Sequence, residues 1–275
     1  MSEAATITQK AKSNLAFAFL CLPKDRRDDM VTFYAFCRVI DDLADDPDIP
    51  MVEKRAGLDS WIQCFKQGGK AETSLQTQTL QLQDRYQIDK QLFLDLIEGC
   101  ESDLHPHRRF GNWEELKDYT YKVASCVGLI SIEIFGCTNE QSKKYAIALG
   151  HALQITNILR DVGEDLDDNV RIYLPIEDIE RFKYTERNLI DKVHDYRFVA
   201  IMNHLADRAE AYYQDAVDNL PECDKRALRA AEGMRKIYHG ILKKMRKDNF
   251  QVFHQRYSLS KPKKLLHLIS SQLGL

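Results

Sequence analysis

Proline and glycine are scarce, seven and twelve in 275 residues, and that scarcity argues against a turn-rich β architecture. No apolar run reaches the roughly 18 residues that a membrane-crossing helix needs. Residues 15–22 (LAFAFLCL) come nearest to a signal-peptide core. Acidic Glu3 precedes them and KDRRDD follows where a small-residue cleavage site belongs, so they read as a buried helix. The seven cysteines are odd in number and form no CxxC, which disfavours a zinc ribbon or disulfide scaffold and points to reduced cytosolic thiols. A net charge of −3, with acidic and basic residues interleaved along most of the chain, gives no footprint for nucleic acid. There is no GxGxxG and no GxxxxGK followed by Ser or Thr, so neither dinucleotide nor P-loop nucleotide binding is supported. Ser125 lacks the His and Asp partners of any hydrolase pattern. Solenoid-period repeats and low-complexity linkers are also absent.

What is present is helical. Hydrophobic residues make up 44% and charged residues 29%, enough core for a chain of this length. The periodicity predicts helices at roughly 4–20, 24–45, 50–66, 71–84, 89–103, 112–135, 139–166, 175–182, 185–189, 193–219, 222–247 and 260–273. Prolines fall between or at the start of these segments, where a fixed φ and a missing N–H are tolerated. The breaks near 46–50, 105–111, 167–175 and 250–262 are too short to part domains. A single all-α domain over 1–275 is expected.

Two short stretches repeat one chemical idea. Asp41 and Asp45 stand four apart in CRVIDDLADD, and Asp161 and Asp165 stand four apart in QITNILRDVGED. Residues four apart stack on one helix face, so each pair makes a two-carboxylate clamp, beside Arg38 and Arg160 respectively. Asp41, Asp42 and Asp45 also crowd a helix C-terminus that already carries partial negative charge. Around the second clamp, Gln154, Asn157, Asp161, Glu164 and Asp165 draw a polar stripe down an otherwise apolar helix. Buried carboxylates need a counter-charge, and two such clamps suit hard divalent cations, Mg²⁺ or else Mn²⁺, that also bind phosphate oxygens. The implied substrate is a polyphosphate or a diphosphate ester held by metal. Taken singly, each motif is equally an exposed acidic helix face.

Other residues carry weaker signals. Tyr119 lies on the segment DYTYKVASCVG, where Ser125 and Gly128 leave room for a ligand or for a close helix crossing. Tyr121 is the core-packing alternative to Tyr119. Lys10, Lys12 and Ser13 near the start, and Arg171 with Tyr173 after the second clamp, could reach phosphates. His105 and His107 form HPH, but no further ligand has suitable spacing for zinc, so they read as a loop pair.

The stretches SNLAFAFLCLPKDRRDDMVTFYAFCRVIDDLADD and YTYKVASCVGL, followed by GHALQITNILRDVGEDLDDNVRIYLP, resemble the head-to-head trans-isoprenyl diphosphate synthases of the squalene/phytoene synthase family. The resemblance runs from about Lys12 to Lys264. It implies an all-helical isoprenoid synthase bundle around a central hydrophobic cavity, with Mg²⁺ and two prenyl diphosphates. By this resemblance Asp41, Asp45, Asn157, Asp161 and Asp165 would hold metal. Lys12, Ser13, Arg38, Gln154, Asn157, Arg160, Arg171 and Tyr173 would bind diphosphate or metal, and Tyr119 would face the reacting carbons. Where many members carry histidine, two residues before the motif lysine, this chain has Lys10.

Within that family the tail ALRAAEGMRKIYHGILKKM and the wording SCVGLISIEIFG look most like bacterial presqualene diphosphate synthases of hopanoid pathways. The expectation is therefore condensation of two farnesyl diphosphates without NADPH, with phytoene or dehydrosqualene synthesis as the alternatives. A head-to-tail prenyl synthase, a terpene cyclase and a non-catalytic helical subunit are weaker readings. The setting expected is cytoplasmic, at most peripheral to the inner face of the membrane, with a downstream pathway enzyme as a conceivable partner.

Overall fold

The computed structural model describes Ala4 and residues 22–66, 70–105 and 107–272. Among the described residues there are helices and no strand. Helix α1 (Lys24–Asp45) begins after Pro23, whose fixed φ of −53° suits a helix entry. Its residues Met30, Phe33, Phe36, Ile40 and Ala44 recur at three or four and are buried. Helix α2 (Met51–Phe65) starts after Pro50. It brings Trp61 and Phe65 against Phe36 of α1, with ring centroids 5.0 and 5.9 Å away. Helix α3 (Ser74–Tyr86) opens on a capping box between Thr73 and Gln76. Helix α4 (Lys90–Glu101), capped by Asp89, adds Phe93 to the aromatic cluster, 4.7 Å from Phe65. A 3₁₀ turn at Ser102–Leu104 ends it.

The predicted helix over 112–135 is broken. Helix α5 (Trp113–Thr120) runs into a π turn at Tyr121–Ser125 and then into α6 (Cys126–Phe135). The extra residue of a π turn rotates the faces on either side of it, and such turns recur at functional sites. Gly136 ends α6 with φ of 78°, under the Arg26 guanidinium, where a side chain would be both strained and crowded. Helix α7 (Gln141–Asn169) is the longest at 29 residues. Asp224 holds its approach, accepting from the amides of Thr138 and Asn139 at 2.9 Å each and from Ser142 Oγ at 2.7 Å.

Short helices α8 (Ile176–Arg181) and α9 (Glu186–Ile190) lead to α10 (Tyr196–Asp218), capped by Asp195 and packed along α7. Helix α11 (Arg229–Lys247) starts later than the periodicity predicts, because 222–228 form a 3₁₀ turn and further turns after Pro221. Helix α12 (Lys261–Gln272) packs back on α11. The helix expected at 4–20 lies outside the described residues apart from Ala4, as do Lys10, Lys12 and Ser13. Among the described residues no helix is long and apolar enough to cross a membrane. Buried hydrophobic side chains from α1 to α11 form one cluster.

Candidate active site

Helices α1, α4 and α7 and the π turn enclose a cavity of about 640 Å³. Both carboxylate pairs open into it: Asp41 and Asp45 from α1, and Asp161 and Asp165 from α7. The whole polar stripe of α7 lines it, Gln154, Asn157 and Glu164 included. Its apolar wall comes from Tyr34, Leu96, Val123, Val127 and Ile158. The opposite side of α7 explains why the stripe faces inward. Ala152, Ile155, Leu159 and Val162 are buried, and Thr156 Oγ1 lies 2.9 Å from Tyr213 Oη of α10, which fixes the helix's rotation.

Arginines hold the carboxylates. Arg38 Nη1 donates to Asp41 at 2.6 Å, and Nη2 donates to Asp42. Asp42 itself does not line the cavity, so the α1 clamp consists of Asp41 and Asp45 only. Arg160 makes a two-point contact with Asp161, at 2.8 and 2.5 Å. Arg171 Nη1 donates to Asp45 at 2.6 Å and lies 3.4 Å from Tyr173 Oη. Val170, in the left-handed region at φ 52°, lets the Arg171 amide turn back onto the Asp165 carbonyl at 2.9 Å. A residue read from the second motif thus reaches the first.

Asp103, which lines the cavity, and Arg256, which pairs with two residues that line it, belong to neither sequence motif. Asp103, on the 3₁₀ turn after α4, accepts from Tyr119 Oη at 2.8 Å and from Tyr173 Oη at 3.0 Å. The rings of those tyrosines stand 5.5 Å apart. Asp103 precedes HPH without any partner at helical spacing, so nothing in its neighbourhood marks it. Arg256 lies in the segment between α11 and α12 and pairs with Asp161 at 3.3 Å and Glu164 at 3.2 Å. A Cβ at Gly163 would come within 2.5 Å of the Val252 carbonyl oxygen, so glycine there is what lets this segment dock on α7. That glycine inside a strong helical pattern was the one available hint.

The electrostatics are those of crowded acid. Burial, and after it Asp45, pushes the Asp41 carboxyl up to about 6. Burial also takes Asp103 up to about 6, against the tyrosine hydrogen bonds that favour its ionised form. Burial and then Asp161 push Asp165 up to about 8. Burial holds the Tyr119 and Tyr173 phenols well above their ordinary range. Asn157 donates to Gln154 at 3.3 Å, while its buried carbonyl oxygen Oδ1 meets no donor. An orphan hard oxygen and carboxylates lacking enough positive charge are the donor set that a divalent cation fits. Among the described residues no three Asp, Glu, His or Cys side chains already converge as a metal-binding group, and arginines pair with Asp41, Asp45 and Asp161. His105 and His107 are exposed and contribute nothing.

Small residues explain themselves by packing. A Cβ at Gly150 would stand 2.5 Å from Ser125 Cα, and one at Gly128 would stand 2.8 Å from the Ala146 carbonyl. Here α7 crosses the π turn and α6 backbone to backbone, with Ser125 Oγ donating to the Ile147 carbonyl at 2.9 Å. Beyond Val127 the crossing leaves an apolar recess of about 90 Å³ among Gly128, Ile132, Phe135, Leu149, Leu153 and Met234.

A family profile described as squalene/phytoene synthase matches residues 8–263. The chain belongs to the squalene/phytoene synthase family. It is 34% identical over 286 residues to a 15-cis-phytoene synthase of Synechocystis sp., covering 98% of this chain and 84% of that one. It is 32% identical to a 15-cis-phytoene synthase of Synechococcus elongatus, covering 97% and 90%. Among solved structures, a dehydrosqualene synthase superposes with a TM-score of 0.83 at 28% identity, over 98% of this chain and 94% of that one. The squalene synthase HpnC from Alicyclobacillus acidocaldarius superposes at 0.79 with 26% identity, over 90% and 93%. The all-α isoprenoid synthase fold expected from the sequence is therefore the fold of this squalene/phytoene synthase family member.

Proposed function

We propose that this chain joins two prenyl diphosphates head to head, and that the product is of the phytoene type, from C20 substrates. The observation that carries the condensation is the opening of both carboxylate pairs into one cavity, with an apolar recess on the other side of Val127. The names of the curated relatives favour phytoene over the presqualene diphosphate that the tail wording suggested.

Asp41, Asp45, Asn157, Asp161 and Asp165 would hold Mg²⁺, which when bound neutralises diphosphate oxygens and assists the leaving group. Arg38 and Arg171 stand beside those carboxylates at the cavity wall and would pass to diphosphate oxygens as substrate enters, while Arg160, which does not line the cavity, would hold Asp161 in place. Gln154 and Tyr173 offer further polar contacts at the same wall. Loss of diphosphate from the donor leaves an allylic cation. The acceptor's 2,3 double bond attacks it, and loss of a proton closes a cyclopropylcarbinyl diphosphate. Ionisation of that second diphosphate, rearrangement and loss of a second proton give the conjugated hydrocarbon with no reductant. The Tyr119 and Tyr173 rings line the cavity and would steady a passing cation, and the released diphosphate takes the proton, with Tyr119 beside the reacting carbons. The apolar wall excludes water that would quench the cation.

A C15 reading, giving dehydrosqualene or presqualene diphosphate, is favoured by the superposition on a dehydrosqualene synthase. Incubation with geranylgeranyl diphosphate alone and with farnesyl diphosphate alone, with and without NADPH, separates the two by product mass. A C40 hydrocarbon from the C20 substrate supports the first. Absence of diphosphate release with either substrate would leave a non-catalytic helical subunit.

A further inference from the structure

The last 47 residues, 229–275, contain eleven Lys and Arg against two acids, a net +9 in a chain of net −3, so the preceding 228 residues carry −12. Both acids are engaged, Glu232 by Arg235 and Asp248 by Tyr257. Helices α11 and α12 run antiparallel: Lys236 Nζ donates to Ser270 Oγ at 3.1 Å, and Lys244 Nζ donates to the Ser258 carbonyl at 3.3 Å. The end of α11 therefore sits beside the start of α12. Helix α11 buries Met234, Ile237, Ile241 and Met245, which leaves Lys243 and Lys247, four apart, exposed on the other side. On α12, Lys263 is exposed, and Leu266, one turn on, is 64% exposed. Among the described residues no carboxylate pairs with Lys243, Lys247 or Lys263. The segment joining the two helices carries Arg256 to Asp161 and Glu164, so this cationic end adjoins the cavity rim.

We infer that this end of the α11–α12 hairpin is a docking surface for an anionic lipid bilayer. Clustered lysines near an anionic leaflet are attracted to it, an exposed leucine among them gains by entering the headgroup region, and the −12 remainder is turned away. One orientation results, with the cavity rim toward the lipid. The charge pattern carries the inference. Only its purpose, passage of prenyl chains between cavity and bilayer, rests on the function proposed above.

The test is sedimentation of the full chain with phosphatidylcholine vesicles, with or without a third of phosphatidylglycerol, at low and high salt and without substrate. Binding to the anionic vesicles only, weakened by salt, is expected. Combined Lys243→Glu, Lys247→Glu and Lys263→Glu should lower partitioning at least about 100-fold, from about fivefold per lysine near such a surface. The corresponding Lys→Arg changes should preserve it, and Leu266→Ser should cause a smaller loss. Turnover of detergent-dispersed substrate by the triple-Glu variant should match the parent. Equal binding to neutral vesicles, no response to charge reversal, or retention of duplex DNA in place of vesicles would overturn the inference. If the parent protein turns over no prenyl diphosphate yet partitions as described, the docking surface stands and the proposed function fails.

Discussion

Arg171 and Asp45, 126 residues apart in the chain, meet with Nη1 and Oδ1 2.6 Å apart. The contact ties the end of α1 to the turn after α7, and so couples the two carboxylate pairs. Asp45 is 44% exposed on its side chain while Arg171 is 9% exposed, so water screens one end of the pair only.

Replacing Arg171 by Met keeps the stem packing and removes the charge. Stability should fall by about 1–2 kcal/mol, below the cost of breaking a fully buried pair because Asp45 is screened. Turnover should fall about ten- to hundredfold as the acidic pairs lose their register. Thermal unfolding and steady-state kinetics on one preparation read both, and unchanged kinetics would remove Arg171 from the site.

Asp161→Asn tests the second pair more cleanly than Asp161→Ala. The amide keeps one acceptor for Arg160 where alanine keeps none, but it leaves the guanidinium, only 11% exposed, without its counter-charge, so some stability is lost as well. Turnover should drop at least about a hundredfold, more than an outer-shell change costs, in a variant that melts lower but still folds. Retained activity would detach this aspartate from the chemistry.

Asp103 should leave a mark on the pH dependence of stability. Its carboxyl is raised from 3.8 to about 6, so the folded state binds its proton more tightly than the unfolded chain. That stabilisation is fully present below the unfolded value and is lost as pH rises from about 4 to about 6. Asp103→Asn removes this titration. The difference in unfolding free energy between parent and variant, measured by urea titration across that window, should therefore change with pH, and a flat difference would contradict the assignment.

At Gly150 the neighbour is backbone and cannot give way: an added Cβ would lie 2.5 Å from Ser125 Cα. Gly150→Ala should destabilise by about 1–3 kcal/mol through overpacking, despite alanine's better helix propensity. It should also lower turnover by shifting α7 against the π turn that follows Tyr119. A melting temperature at or above the parent's would mean the crossing relaxes freely.

Much of the cavity was legible because helical spacing is local. Gln154, Asn157, Asp161, Glu164 and Asp165 could be placed on one face by counting alone, and all five line the cavity. Asp42 shows the limit of counting. Spacing puts it on one face with Arg38, Asp41 and Asp45, yet it accepts from Arg38 and, unlike those three, does not line the cavity. Asp103 and Arg256 could not be found by spacing, since their partners lie at least 16 residues away. The break at Tyr121–Ser125 was hidden too, because a π turn keeps the same apolar composition while shifting the phase.

Periodicity, proline placement and the two four-residue carboxylate spacings determined by themselves that the chain is helical and carries two acidic clamps, since each depends on neighbours within about one helical turn. The tertiary structure alone decided that the clamps share one cavity, that Arg171 and Arg256 cross to carboxylates far away in the chain, and that Asp103 joins two tyrosines. Those contacts form between segments brought together only by burial of the common core, and no local rule encodes which distant side chain a packed helix will meet.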